Sequence, residues 1–153
     1  MPDLLPKLVA IFNDAERTGD YTMVKPALDA IRSLGPVLED HLQLLLPALN
    51  RLIMLGSAGT PPAIQEETLA TMQDLLPRMQ LAGYSSAVLH PLIRLLDGPS
   101  EELRERALDT ICSVSLAIGP DFAIFVPTVR KVGCGCFLGW HPGWCLGACW
   151  VEG

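Results

Sequence analysis

The sequence predicts an all-α chain built as a solenoid of short helical hairpins. Three observations carry this. First, an apolar phrase with a central proline recurs: LLPKLV at 4–9, LLLPAL at 44–49, VLHPLI at 88–93 and FVPTV at 125–129. Its prolines, Pro6, Pro47, Pro91 and Pro127, lie 41, 44 and 36 residues apart. Second, the segments between them place apolar residues at helical spacing, with Gly, Pro and Asp turns between runs. Third, no stretch of useful length alternates apolar and polar residues as a half-buried strand would.

A spacing near ~40 residues is that of HEAT and armadillo arrays, in which each unit is one or two short helices packed on the next unit. The clearest unit is PLIRLLDGPSEELRERALDTICSVSLAIG at 91–119. Leu92, Ile93, Leu95 and Leu96 form one apolar stripe, and Asp97-Gly98-Pro99 is a turn. Ser100 is suited to cap a second helix, with Glu101 and Glu102 in its first turn where the helix dipole favours acids. Leu103, Ala107, Ile111 and Val114 recur at helical spacing, and Gly119-Pro120 stops the run. The turn Asp97, the early Arg104 and the small Ala107 look like the HEAT consensus.

The other units follow the same plan. In the first, Asn13-Asp14 is expected at the turn. A second helix is expected from Asp20 to Leu34, with Val24, Ala27, Ala30 and Ile31 inward and Pro26 in its opening turns. In the second, His41 to Leu55 reads as one Leu-rich helix and Gly56-Ser57-Ala58-Gly59 as a flexible turn. Thr60 is expected to cap and Pro61-Pro62 to open the next helix, with Ile64, Leu69, Met72, Leu75 and Leu76 inward. A fourth unit begins at Asp121 with its first helix only. The expected architecture is two full repeats flanked by partial ones, with the recurring prolines as mid-helix kinks that bend the array.

The 153 residues are 50% hydrophobic and 18% charged, with a net charge of −6. That size suits one domain or a few repeats, and the apolar content excludes disorder as the main state. An acidic chain is a poor match for nucleic acid, whose phosphates demand a basic face. The start MPDLLPKLVAIFNDAE carries no secretory signal pattern, so the expected location is the cytoplasm, or the nucleus or an endomembrane as part of a complex. Composition changes sharply near residue 132. Residues 133–153 hold four of the five Cys, all three Trp, six of the 13 Gly and one charge, Glu152, while all 11 basic residues precede them. The chain divides into a helical-repeat segment at 1–132 and a Cys/Trp/Gly-rich tail at 133–153. The tail is expected to be unstructured, or to come from intron read-through or a frameshift.

Three longer stretches resemble a known family. They are VLEDHLQLLLPALNRLIML (37–55), SSAVLHPLIRLLDGPSEELRERALDTICSVSLAIG (85–119) and DFAIFVPTVRKV (121–132). In this order they resemble the middle HEAT region of the target-of-rapamycin serine/threonine kinases, over nearly all of residues 4–132. The resemblance stops after Val132. It implies a scaffold region that lies far before a catalytic domain. Such a scaffold works in growth signalling and contacts neighbouring HEAT repeats, a regulatory subunit and a second copy of the kinase. The chain itself shows no Gly-rich nucleotide loop, HRD-like catalytic loop or DFG motif. Its nearest string is Asp121-Phe122-Ala123. The expectation is a non-catalytic chain with protein partners and with no cofactor, small-molecule substrate, nucleic acid or membrane span. A free-standing HEAT adaptor is the alternative.

No catalytic, cofactor or metal residue is assigned. Cys134, Cys136, His141, Cys145 and Cys149 form C-x-C-x4-H-x3-C-x3-C, a zinc-like ligand set without paired C-x2-C spacing. A zinc module run by the tail is the reading of another class. Disulfides are not expected inside the cell. The run Val132 to Val151 is free of charge, but its glycines and His141-Pro142 make a poor membrane helix. Cys112 is expected to face inward as a small hydrophobe. His41 and His90 have no acid or base partner near in sequence and suit packing or surface roles. The run 101–106, EELRER, reads as a solvated helix start with i,i+3 and i,i+4 pairs. Ser57, Ser85, Ser86 and Ser100 lack a nucleophile-elbow context.

Overall fold

Among the described residues seven α-helices follow one another: α1 Leu4–Thr18, α2 Val24–Leu34, α3 Leu46–Met54, α4 Pro62–Leu75, α5 Ser85–Leu96, α6 Glu101–Ile118 and α7 Val126–Cys136. The structure, a computed structural model, describes residues 4–54 and 59–136, without the side chains of Glu39, Asp40 and 133–136. The described residues contain no strand. Helices α1, α3, α5 and α7 pack in series, and so do α2, α4 and α6. Each member of the first row also packs on the helix that follows it: α1 on α2, α3 on α4, α5 on α6. The result is two layers of stacked helices, consistent with an α-solenoid. The apolar core runs between the layers. Leu45, Leu49 and Leu52, Leu69, Met72 and Leu76, and Val88, Leu89 and Leu92 are all buried there.

The first unit is a complete pair, one more than the two full repeats the sequence suggested. Asn13 and Asp14 lie inside α1, which continues to Thr18. The turn comes at Gly19, whose φ of 73° lets its N–H close on the Ala15 carbonyl at 2.8 Å. α2 then starts at Val24 rather than Asp20, because the Asp20 carboxylate accepts from the Thr22 N–H at 3.0 Å and from the Thr22 hydroxyl. That local ring competes with helix formation. Val24, Ala27 and Ile31 face in as expected, with Leu28 beside them; Ala30 is only half-buried. Pro26 occupies the opening turn.

The recurring prolines are mostly not mid-helix kinks. Pro47 and Pro127 are the second residues of α3 and α7, and each helix follows a 3-10 stretch, Glu39–Leu44 and Gly119–Ile124. Pro6 likewise lies in the first turn of α1. His41 to Leu55 is therefore not one α-helix. A proline ring clashes with the carbonyl four residues earlier, so α geometry cannot extend back through it, and the tighter 3-10 turn takes over. The two junctions match in detail. The Ala48 and Leu49 N–H groups share the Leu45 carbonyl at 3.1 and 3.0 Å, and Thr128 and Val129 share that of Phe125 at 3.1 and 3.0 Å. Phe122 and Phe125 pack with ring centres 6.2 Å apart, where the earlier junction buries Leu42 and Leu45. Pro91 alone of the four lies well inside a helix.

Ser100 caps α6, accepting from the Leu103 N–H at 3.4 Å, and Gly119 stops it with a φ of 66°. Thr60 does not cap α4. The N-cap is Pro61, which has no side chain to accept a bond, and Thr60 is buried with its hydroxyl 3.4 Å from that of Tyr21. Leu69, Met72, Leu75 and Leu76 are inward as expected, while Ile64 is half-buried. The expected flexible turn at 56–59 falls outside the described residues as far as Ala58. Glu101–Ile124 is long and apolar enough to cross a membrane. Its Leu103, Ala107, Ile111 and Val114 are buried against the core, and its Glu101, Glu102, Glu105, Arg106 and Asp109 are exposed, so it sits as a packed amphipathic helix.

Candidate protein-interaction surfaces

Polar side chains tie the first unit to the second, and one ties the second to the third, at a near-constant sequence separation. In the first row, the Arg51 guanidinium on α3 donates to the Glu16 carboxylate at 3.2 Å and to the Asn13 side chain, both on α1. One unit on, the Asn50 amide donates to the Ala87 carbonyl of α5 at 2.8 Å. In the second row, Arg32 on α2 donates to both the carbonyl and the carboxylate of Glu67 on α4, at 3.0 and 3.1 Å. Between connections, Tyr21 meets Thr60. These partners are 35 to 39 residues apart. A separation close to one repeat means that each such bond joins successive units.

The bond from Asn50 explains Pro91. A helix residue at 91 would normally donate its N–H to the carbonyl of residue 87, and proline has no N–H to give. The Ala87 carbonyl is left over, and Asn50 of the neighbouring helix takes it. The proline thus exports a backbone acceptor from α5 to the α3 seam. Within pairs, Gln65 is buried and donates to the Ile53 carbonyl at 2.7 Å, satisfying the end of α3. Arg104 donates to the Gly98 carbonyl at 2.8 Å and closes the α5–α6 turn.

The α2–α4 seam carries the densest charge. Lys25 reaches Glu67 at 3.1 Å, and Arg32 lies 3.1 Å from Glu67, 3.5 Å from Asp74 and 3.6 Å from Asp29. The Lys25 bond, helped by Arg32 and opposed by partial burial, holds the Glu67 carboxyl below its usual range. At the α1–α2 turn, the hydroxyl and then the backbone N–H of Thr22 lower Asp20 in the same direction. Among the described residues, no group of three or more His, Cys, Asp or Glu is placed to hold a metal ion.

The candidates singled out from sequence are not brought together. Cys112 is half-buried on α6 rather than facing in. His41, on the 3-10 turn before α3, and His90, on α5, are both exposed. Ser85 and Ser86 open α5 and Ser100 caps α6. The helix start at 101–106 is solvated, but no ion pair forms within it among the described residues, because Arg104 turns back to Gly98. Ser57, His141, Cys145 and Cys149 lie outside the described residues, as do the side chains of Cys134 and Cys136. Sequence reasoning missed the seam residues Asn13, Glu16, Lys25, Asn50, Arg51 and Glu67. Their signal was present as polar residues of complementary type one repeat apart.

The geometry defines a class of protein first: stacked helical pairs joined by polar side chains that reach from one pair to the next. Comparison with known proteins narrows this. The serine/threonine-protein kinase TOR of Arabidopsis thaliana is 38% identical over 132 residues, 86% of this chain. That of Oryza sativa subsp. japonica is 32% identical over 129 residues, 84% of the chain. The serine/threonine-protein kinase mTor of Drosophila melanogaster is 28% identical over 131 residues. No family model matches the chain. The chain is homologous to a segment of the target-of-rapamycin serine/threonine kinases. It spans only about 5% of the length of each of these relatives.

Proposed function

We propose that this chain is a non-catalytic, HEAT-type scaffold segment of a target-of-rapamycin kinase, and that it works by presenting stacked helices to protein partners in nutrient and growth signalling. The observation that carries this reading is the set of inter-unit bonds at a separation of 35 to 39 residues, found in a chain homologous to those kinases. A ladder of such bonds serves rigidity along an array, which a scaffold requires and a small enzyme does not. The partners are adjoining helical repeats, a regulatory subunit of the kinase complex and a second kinase copy, in the cytoplasm or at an endomembrane. A free-standing adaptor with the same fold is the competing reading. It would bind its partner without any adjoining kinase.

The test is a chimera. Residues 4–132 replace the matching stretch of the Arabidopsis relative, and complex size and kinase activity are measured by light scattering and phosphate transfer. Both are expected to survive. A chimera that folds but no longer assembles overturns the scaffold reading. Phosphate transfer from ATP by the isolated 153-residue chain overturns its non-catalytic part.

A further inference from the structure

Charge divides between the two layers of the stack. The first layer, α1, α3, α5 and α7, carries six Lys and Arg against two carboxylates, Asp14 and Glu16, both on α1. The second layer, α2, α4 and α6, carries four cations against eight carboxylates, one on α2, three on α4 and four on α6. In a chain of net charge −6, helices α3, α5 and α7 hold no Asp or Glu at all. They hold Arg51, Arg94, Arg130 and Lys131, all exposed. Arg51 is paired with Glu16. Arg94, Arg130 and Lys131 form no ion pair among the described residues.

Packing places these cations on one surface. α3 packs on α1, α4 and α5, and α5 packs on α3, α6 and α7, so each keeps one open side, the side away from the second layer. Exposed residues of a helix enclosed on three sides lie on the fourth. Pro47 and Arg51 mark that side on α3; Ala87, His90 and Arg94, at i, i+3 and i+7, mark it on α5. The two open sides adjoin, because Asn50, next to Arg51, reaches the Ala87 carbonyl. α7 repeats the α3 junction. Lys131 stands six residues after Phe125, as Arg51 stands six after Leu45, and those two carbonyls close the matching turns. Lys131 therefore takes on α7 the place that Arg51 has on α3. Arg51, Arg94 and Lys131, 43 and 37 residues apart, form a row with one cation per helix. The carboxylates nearest to the last two in sequence are Asp97, three residues past Arg94, and Asp121 on the turn before α7.

Spacing and sign say what the row fits. Packed helices lie about 8–10 Å apart. An extended chain rises about 3.3 Å per residue, so every third residue covers the same interval. Arg and Lys hold carboxylates by charge-assisted hydrogen bonds. A long polyanion would also meet the carboxylates of the second layer and the negative field of the whole chain, whereas a short segment meets only the row. We infer that the outer face of the first layer binds an acidic segment of a partner protein, laid extended across α3, α5 and α7 with Asp or Glu at every third residue. The inference rests on the reading of the chain as a protein-binding scaffold only so far as the adaptor reading shares it.

The probe is a fluorescein-labelled peptide with Glu at every third position and Ser and Gly between, titrated into the full chain by fluorescence anisotropy. Saturable binding that weakens with added salt is expected, with hydrogen-exchange protection gained on α3, α5 and α7 and not on α2, α4 or α6. Arg94→Glu should weaken binding about tenfold or more. Arg106→Glu, the same charge change at an exposed place on α6, should alter it less than about twofold. Equal loss in the two variants means that the peptide reads net charge alone, and overturns the inference. Equal binding by a peptide with Gln in place of Glu, or no binding at all, does the same. Tighter binding of phosphatidylserine vesicles or single-stranded DNA, lost in Arg94→Glu, makes a membrane or a nucleic acid the occupant and the inference fails. It also fails if the free chain self-associates at low salt and Arg94→Glu is monomeric, since a second copy then fills the face. Should Arg94→Glu lose its helical circular dichroism, Lys131→Glu and the exchange footprint on the unaltered chain decide. A chain that binds no such peptide but still assembles in the chimera loses this inference and keeps the scaffold reading.

Discussion

Arg32 reaches three carboxylates from one place near the end of α2, and only 26% of its side chain is exposed. Its link to Glu67, itself 30% exposed, adds a bond to the Glu67 carbonyl, which also accepts from the Thr71 hydroxyl at 2.7 Å. Partial exposure limits what the ion pair contributes. A double-mutant cycle of Arg32→Ala and Glu67→Ala should give a coupling of roughly 0.5–1 kcal/mol, shrinking in high salt. The pH sign follows from the lowered Glu67 carboxyl. A depressed acid stabilises the fold above its unfolded value, and that contribution is lost as pH falls through its folded value. Acid unfolding of Glu67→Gln should therefore show a shallower loss of stability on the acid side than the parent chain, by fluorescence-monitored urea titration at stepped pH. Gly119 makes a second residue-scale case. Its φ of 66° is open to glycine but strained for alanine. Gly119→Ala should cost about 1–2 kcal/mol by the same titration, although nothing lies near the added methyl.

At the scale of elements, the legible and illegible parts separate for physical reasons. α6 was read almost residue for residue, because its cap Ser100, its inward Leu103, Ala107, Ile111 and Val114, and its stop Gly119 are all local signals. The end of α1 and the start of α2 depart from the sequence reading, while α2 ends at Leu34 as expected: Asn13-Asp14 looks like a turn and yet contributes Asn13 to a bond with Arg51, 38 residues away. No local rule reports that partner. The proline phrases mark helix starts at Pro47 and Pro127 rather than the kinks their recurrence implies. Their period was plain in sequence, whereas the switch from 3-10 to α at Pro47 and Pro127 depends on the backbone. Pro91 gives the sharpest test. Pro91→Ala restores the internal α5 bond and sets it against Asn50 for the Ala87 carbonyl. Asn50→Ala should cost about 1–2 kcal/mol in the parent and clearly less in the Pro91→Ala background, since the carbonyl then keeps a partner. Equal costs in both backgrounds would refute the shared-acceptor account.

Over the whole molecule, each unit touches only its neighbours, so stability is close to a sum of unit and seam contributions. The seams are not alike. α4 packs on α2, α3 and α6, and α5 packs on α3, α6 and α7, whereas α7 packs chiefly on α5 and its own leading turn. Local opening should follow that order, because an element with fewer buried partners opens at lower free energy. Amide exchange should be slowest in α3, α4 and α5, since α3 likewise packs on α1, α4 and α5, faster in α1 and fastest in α7. Seam substitutions should act directionally. Arg51→Ala removes the polar clasp between α3 and α1, so it should speed exchange in α1 with little change in α7. Leu49→Ala, in the buried middle of α3, should cost about 2–5 kcal/mol and speed exchange throughout, since the cavity weakens the seams on both sides. A uniform response of all helices to Arg51→Ala would mean that the chain unfolds as one indivisible body. In that case the unit-by-unit ladder of bonds would describe its geometry but not its energetics.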